Sequence, residues 1–301
     1  MANDTVLDQH PSPWLFLREI LGYSFYFASC FAFIGALPLF LVLFGWNRHL
    51  RQQVLEGLFK WFSYFLSRVY LPFLGIYKIV EESGFERSDP SRPAVIIANH
   101  RSRMDAPYLL SVLKKTGVVI KSTYAQSPFY AALVRHLNFV SVNPDSLASL
   151  TGSLQQCKRM LGRGMRLLVF PEGTRAGGNR MGEFKDLAFR MAIDADVPVV
   201  PVVIHTTLPF MTKLRGSIFP PHRFSVTIRM LPPVEHLPGE RAADFAARVR
   251  RLIETNLRKL DKDTVWENLG AAPVMTPRHR KVTTPRPAPA STTPVKDIPQ
   301  Q

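Results

Sequence analysis

Ala94-Val95-Ile96-Ile97-Ala98, followed without a break by Asn99-His100-Arg101-Ser102-Arg103-Met104-Asp105, decides how this chain is read. Five consecutive apolar residues bounded by Pro93 and Asn99 predict a strand buried on both faces. Runs of the same kind recur at Gly117–Lys121, Phe139–Val142, Leu167–Phe170 and Val199–Ile204, and an alternating one at Phe224–Met230. Helical patterns lie between them, at Ala106–Lys115, Phe129–His136, Leu147–Arg163, Glu183–Asp194 and Ala242–Lys259. Strands alternating with helices predict an α/β domain with a largely parallel sheet flanked by helices, here over residues 83–268.

Upstream, the chain changes character. From Ile20 to Trp46 there is no charged side chain over 27 residues, long enough for a helix to cross a bilayer core with some tilt. The acidic start (Asp4, Asp8) and the length of the run argue for a retained anchor rather than a cleaved signal. Arg48 and Arg51 follow it, so the charge rule predicts an outside N-terminus and a cytoplasmic remainder. A hairpin broken at Pro38 and dipping into one leaflet is the alternative. Residues 54–80 carry Leu55, Leu58, Phe59, Phe62, Phe65, Leu66 and Val69 at helical spacing, interleaved with Glu56, Lys60 and Arg68. They read either as an interfacial helix or as a core helix of the following domain. Residues 1–82 are thus expected to form a membrane-embedded helical module.

The formal net charge of +15 suits an anionic surface. Because it accompanies a long apolar segment and no nucleic-acid-binding signature, membrane lipid is the expected partner and nucleic acid is not. Two cysteines, Cys30 and Cys157, make no disulfide framework and fit a reducing compartment. Residues 269–301 are rich in Pro, Thr and basic side chains and are expected to form a disordered tail.

His100 directly follows a buried strand, the position where parallel sheets place their sites. Asp105, five residues on, can reach one ring nitrogen and leave the other to take a proton. A second constellation, Phe170-Pro171-Glu172-Gly173-Thr174-Arg175, follows another strand. There Arg175 can clamp a phosphate or carboxylate, and Glu172 can hold a polar group of an acceptor.

Together these segments resemble the glycerolipid acyltransferase family, which carries N-H-x-x-x-x-D, matched at Asn99, His100 and Asp105, and F-P-E-G-T-R, matched at Phe170–Arg175. The apolar Val197-Pro198-Val199-Val200-Pro201-Val202 is similar to the family's last motif. The resemblance covers roughly residues 70–235. It implies that His100 is a general base oriented by Asp105, and that the acceptor hydroxyl attacks an acyl thioester directly. Glu172, Gly173, Thr174 and Arg175 would bind the acceptor. The implied donor is acyl-CoA or acyl carrier protein. No third His, Cys or carboxylate stands at metal-ligand spacing beside His100 and Asp105, so no metal and no cofactor are expected. The short anchor, with no ER-retention signal, points to a bacterial inner membrane, and the flanking charge to a site on its cytoplasmic face. A hydrolase or transacylase using the same base, and a lipid-binding protein without turnover, are the alternatives.

One motif departs from the family. Where an Arg that holds the acceptor phosphate is common, this chain has Asn143 after Phe139-Val140-Ser141-Val142, with Ala131 and Asn138 in place of glycines. Asn cannot neutralise a phosphate. Lys121, Arg101 or Arg103 would have to substitute, or the acceptor is a different lysolipid.

Overall fold

An all-apolar strand has no face to offer water, so its place is inside a sheet covered on both sides. The computed structural model puts Ala94–Ala98 there; it describes residues 10–44, 46–85, 89, 91–143, 145–176, 178–214 and 217–269. In chain order the main elements are α1 (Pro13–Phe44), α2 (Arg48–Tyr64), β1 (Tyr77–Ser83), β2 (Ala94–Ala98), α3 (Asp105–Leu110), β3 (Thr116–Lys121), α4 (Pro128–His136) and β4 (Phe139–Val142). There follow α5 (Leu147–Gly162), β5 (Arg166–Val169), α6 (Leu187–Asp194), β6 (Val199–Thr206), β7 (Phe224–Met230), α7 (Ala242–Asp261) and α8 (Val265–Asn268). The seven strands run in the order β1-β7-β6-β2-β5-β3-β4, parallel except for the antiparallel β6/β7 pair.

Side chains alternate across β2. Ala94, Ile96 and Ala98 face one core with Val200 and Val202 of β6, whereas Val95 and Ile97 face a second core with Val199 and Val203. That second core is closed by α5, α6 and α7. Leu55, Leu66 and Leu71 of the N-terminal helices enter the first core beside Tyr77 and Tyr108. The N-terminal helices therefore share a core with the sheet.

α1 runs unbroken through Pro38, so the alternative hairpin at that residue does not form. The reversal comes after the helix, where the Asn47 side chain accepts the Leu50 N–H at 3.0 Å and caps α2, a bond worth about 1 kcal/mol. α2 doubles back along α1. Phe25 meets Tyr70, Phe65 and Phe62 at ring separations of 4.4, 5.7 and 6.3 Å. One face of residues 54–73 belongs to the core, where Leu55 and Leu66 are buried, while Leu58, Trp61, Tyr64, Val69 and Phe73 are exposed on the other.

The predicted helix over residues 54–80 extends too far. After π-helical turns at Phe65–Tyr70 and a last turn at Leu71–Phe73, Gly75 takes φ +72° and the chain enters β1 at Tyr77. The signal lies in Tyr77-Lys78-Ile79-Val80-Glu81-Glu82-Ser83, whose burial alternates with period two. The sheet therefore starts inside the segment assigned to the anchor. Two predicted helices are also shorter than expected, α3 ending at Leu110 and α6 beginning at Leu187. The predicted tail, apart from Leu269, lies outside the described residues.

Of its glycines, Gly117 is required by close approach: a Cβ there would drive into Met160 and the Asn138 carbonyl. Asn138, which departs from the family pattern, has its own use. Its amide accepts from Gln52 at 2.9 Å and donates to Glu56, tying the start of β4 to α2.

Candidate active site

β2 and β5 pair in parallel through Ile97 and Val169, so the residues after each emerge side by side at the carboxyl edge of the sheet. Asn99 continues β2 with its side chain. Its amide donates to the Ile204 carbonyl at 2.9 Å and accepts the Ile204 N–H at 2.8 Å, so the chain leaves the sheet at a set point. His100 comes next. Its Nδ1 lies 2.9 Å from Asp105 Oδ2, and its ring stacks on Phe170 with centroids 4.4 Å apart.

The loop from His100 to Asp105 is folded round that carboxylate. The same Oδ2 accepts the Arg101 and Ser102 backbone N–H groups at 2.9 and 2.8 Å, and Asp105 is 1% exposed. Donors on one side of the carboxylate keep it an acceptor toward Nδ1–H, which leaves Nε2 as the basic nitrogen. The side chain of His100 is 19% exposed, so its ring is accessible.

Glu172 is placed differently from the sequence expectation. It is buried, and both oxygens are occupied by backbone donors, His100 N–H at 2.8 Å and Gly182 N–H at 2.7 Å. Burial raises the affinity of this carboxyl for its proton, and the two backbone bonds oppose that shift. Its carboxylate braces the His100–Asp105 loop from the neighbouring strand, with both oxygens occupied. Gly173 makes the turn, with φ +65° and its N–H on the Phe170 carbonyl, a backbone position that suits glycine.

Arg175 remains a candidate for binding an anion. Its guanidinium donates to the Met211 and Thr212 carbonyls at 2.6 and 3.1 Å. Burial first, and the like charge of Arg103 second, lower its proton affinity, yet a guanidinium stays cationic at neutral pH. Arg103 is exposed beside it, its backbone N–H also on the Met211 carbonyl. Lys213 donates to the Thr174 hydroxyl. Arg103, Arg175 and Lys213 thus bring positive charge to one loop cluster. Lys121 is exposed at the end of β3, separated from β2 by β5. Asn143 is engaged locally, its side-chain oxygen accepting the Asp145 N–H at 3.1 Å.

Arg101 is committed elsewhere and is no substitute for the missing Arg. It is 4% exposed and forms a bidentate pair with Asp261 at 2.6 and 2.7 Å, its guanidinium 4.1 Å over the Trp266 ring. Trp266 in turn donates to the Thr206 carbonyl at 2.6 Å. Arg250 of α7 holds the other side of the site, donating to the Gly182 and Met181 carbonyls at 2.9 Å each. No sequence motif marked Asp261, Trp266 or Arg250, since nothing local couples residues so far apart in the chain. Asp261→Ala is expected to cost about 3–5 kcal/mol, because it strands a buried guanidinium; a thermal melt reads the loss.

His205, on β6, lies 3.4 Å from Asp261 and is 3% exposed. Burial, opposed by Asp261, lowers its pKa to about 4. The unfolded chain then binds the extra proton between about pH 6.5 and 4. Stability is expected to fall over that window by up to about 3 kcal/mol as pH drops, and His205→Gln should flatten the slope.

Residues 79–205 match the family model described as Acyltransferase. A 1-acyl-sn-glycerol-3-phosphate acyltransferase of Chlamydomonas reinhardtii is 26% identical over 259 residues, covering 83% of this chain and 73% of that protein. The alpha form from Mus musculus is 31% identical, covering 61% of this chain and 65% of its own length. The Escherichia coli (strain K12) protein of the same name is 27% identical, covering 56% and 69%. The crystal structure of a 1-acyl-sn-glycerophosphate acyltransferase from Thermotoga maritima shares the fold, with a TM-score of 0.64 at 21% identity over 82% of this chain and 98% of that one. With both motifs at adjoining strand ends and the family model lying across them, residues 79–205 carry an acyltransferase domain, and the chain is similar to the 1-acyl-sn-glycerol-3-phosphate acyltransferases.

Proposed function

We propose that the protein transfers an acyl group from a thioester, acyl-CoA or acyl carrier protein, to the hydroxyl of a lysophospholipid-like acceptor. The observation that carries this reading is the His100–Asp105 pair, with Nδ1 held at 2.9 Å by a carboxylate that two backbone donors orient. Nε2 takes the hydroxyl proton as the acceptor oxygen bonds to the thioester carbon. The C–S bond then breaks, and the thiolate recovers the proton from the imidazolium. General base catalysis of this kind contributes roughly 10²–10⁴-fold. Arg175, Arg103 and Lys213 supply positive charge for an anionic acceptor or donor, and Glu172 and Asn99 hold the loop.

The membrane is the setting of this reaction. α1 is long and apolar enough to cross a bilayer, yet it touches the catalytic domain along much of its length. Phe16 meets Phe219 at 5.0 Å, Tyr23 meets Phe210 at 6.5 Å, and Phe33 meets Phe129 at 5.9 Å. Contacts spread from Phe16 to Phe33, about 25 Å of helix, favour α1 and α2 seated in one leaflet over a perpendicular span. Their outward side presents Trp14, Phe27, Phe31, Leu39, Val42, Trp61 and Phe73.

The test is transfer of a labelled acyl group by the detergent-solubilised protein from acyl-CoA or acyl carrier protein to a panel of lysolipids. Acylated lysolipid supports the reading and ranks the donors. Free fatty acid as the main product would replace it with a hydrolase.

A further inference from the structure

α7 ends in positive charge that the acceptor chemistry leaves unused. Arg258 lies in its last turn and Lys262 caps it, while Arg180 approaches from the loop after Arg175. These three side chains line a cleft of about 280 Å³, close to the roughly 300 Å³ at which small-molecule sites begin. All three are exposed, and among the described residues neither Arg180 nor Lys262 has an ion-pair partner. The carboxylates of the cleft are occupied. Both oxygens of Asp261 are held by Arg101 at 2.6 and 2.7 Å, and Glu267 accepts the Asp263 N–H at 2.9 Å. Arg258 is shared with Glu254 at 2.7 Å. The charge left over is therefore positive.

The cleft adjoins the His100 loop. Asp261, in its wall, is the partner of Arg101, which directly follows His100. Asn179, also in the wall, receives the Arg101 guanidinium on its carbonyl at 3.1 Å. Arg180 is thus carried on a loop tied to the residue beside His100. This second group of cations is distinct from Arg103, Arg175 and Lys213, which gather at the Met211–Lys213 loop. Acyl transfer from a thioester carrier to a lysophospholipid brings two anionic substrates to one base, and the first group is enough for only one of them.

We infer that the cleft at the end of α7 holds the nucleotide phosphates of acyl-CoA, with Arg180 and Lys262 as their principal ligands. The inference rests on the acyltransferase reading and chooses between its two donors. A guanidinium fork matches phosphate oxygens in pairs, and a lysine adds a point charge. CoA keeps its phosphates apart from its sulfur by the length of the pantetheine arm. Its anionic end can therefore lie in the cleft while the thioester crosses the loop to His100. A docked carrier protein needs a broad face instead, about 800 Å² on each partner. A small concave cleft with converging cations suits the nucleotide.

The test uses the full-length, detergent-solubilised protein and the double variant Arg180→Gln with Lys262→Gln. A second double variant, Arg180→Lys with Lys262→Arg, preserves the charge. Both replaced side chains are exposed, so both variants are expected to melt with wild type. Desulfo-CoA, which cannot carry an acyl group, is the binding probe. Its affinity is expected to fall at least tenfold in the Gln variant and to survive in the charge-preserving one. KM for acyl-CoA should rise by the same factor, and the deficit should vanish with an acyl pantetheine, which lacks the nucleotide. If wild type binds desulfo-CoA through these residues but transfers no acyl group, the acyltransferase reading falls and the cleft stands. Unchanged desulfo-CoA affinity in the Gln variant overturns the proposal. A wild type that binds no desulfo-CoA does so too, as does a deficit confined to acyl carrier protein.

Discussion

Replacing His100 by alanine is expected to lower kcat for acyl transfer at least a hundredfold without unfolding the protein. The imidazole stacks on Phe170 and bonds to Asp105, but it is partly exposed, and its backbone, not its ring, carries the contacts to Glu172 and Ala176. Removing the ring therefore takes away the proton acceptor and leaves the loop braced. The loss corresponds to the general base contribution of roughly 10²–10⁴-fold. Single-turnover acyl transfer, with circular dichroism as the fold control, measures it. Equal rates in wild type and variant would remove His100 from the chemistry.

The second large effect is expected from Asp105→Asn. Asp105 Oδ2 accepts three donors, the His100 ring and the N–H groups of Arg101 and Ser102. An amide can satisfy the two backbone donors with its oxygen, but its NH₂ then offers the ring only a donor. Facing a donor, the imidazole turns its proton to Nε2, where a base must be free of one. An activity loss of two orders of magnitude or more is expected, because the wrong tautomer blocks the first proton transfer. The variant should also melt lower, since a charge-assisted bond, worth roughly 1.5–3 kcal/mol, is lost. A pH–rate profile would show the base titration gone, which a purely structural role for Asp105 would not produce.

How much of this was legible beforehand depends on how local the cause is. Ala94–Ala98, Gly117–Lys121, Phe139–Val142, Val199–Ile204 and Phe224–Met230 each appear as strands at nearly the predicted limits, because an apolar run flanked by turn residues is a local signal. β1 was hidden by its neighbour: seven alternating residues directly after an apolar helix read as its continuation. The His100–Asp105 pair was legible for the same reason as the strands. A loop of four residues between His100 and Asp105 can fold only so far.

What the sequence alone determined, then, is the α/β class, the pair His100 and Asp105, and the guanidinium at Arg175, because period, spacing and residue chemistry act over a few residues. Only the tertiary structure decided the employment of each charge. Glu172 turned from an acceptor contact into a brace, and Arg101 turned from a phosphate ligand into half of a buried ion pair with Asp261. A charged side chain takes its role from the partner that offsets its desolvation. The His100 partner of Glu172 and the Asp261 partner of Arg101 lie 72 and 160 residues away along the chain, where no local pattern reaches.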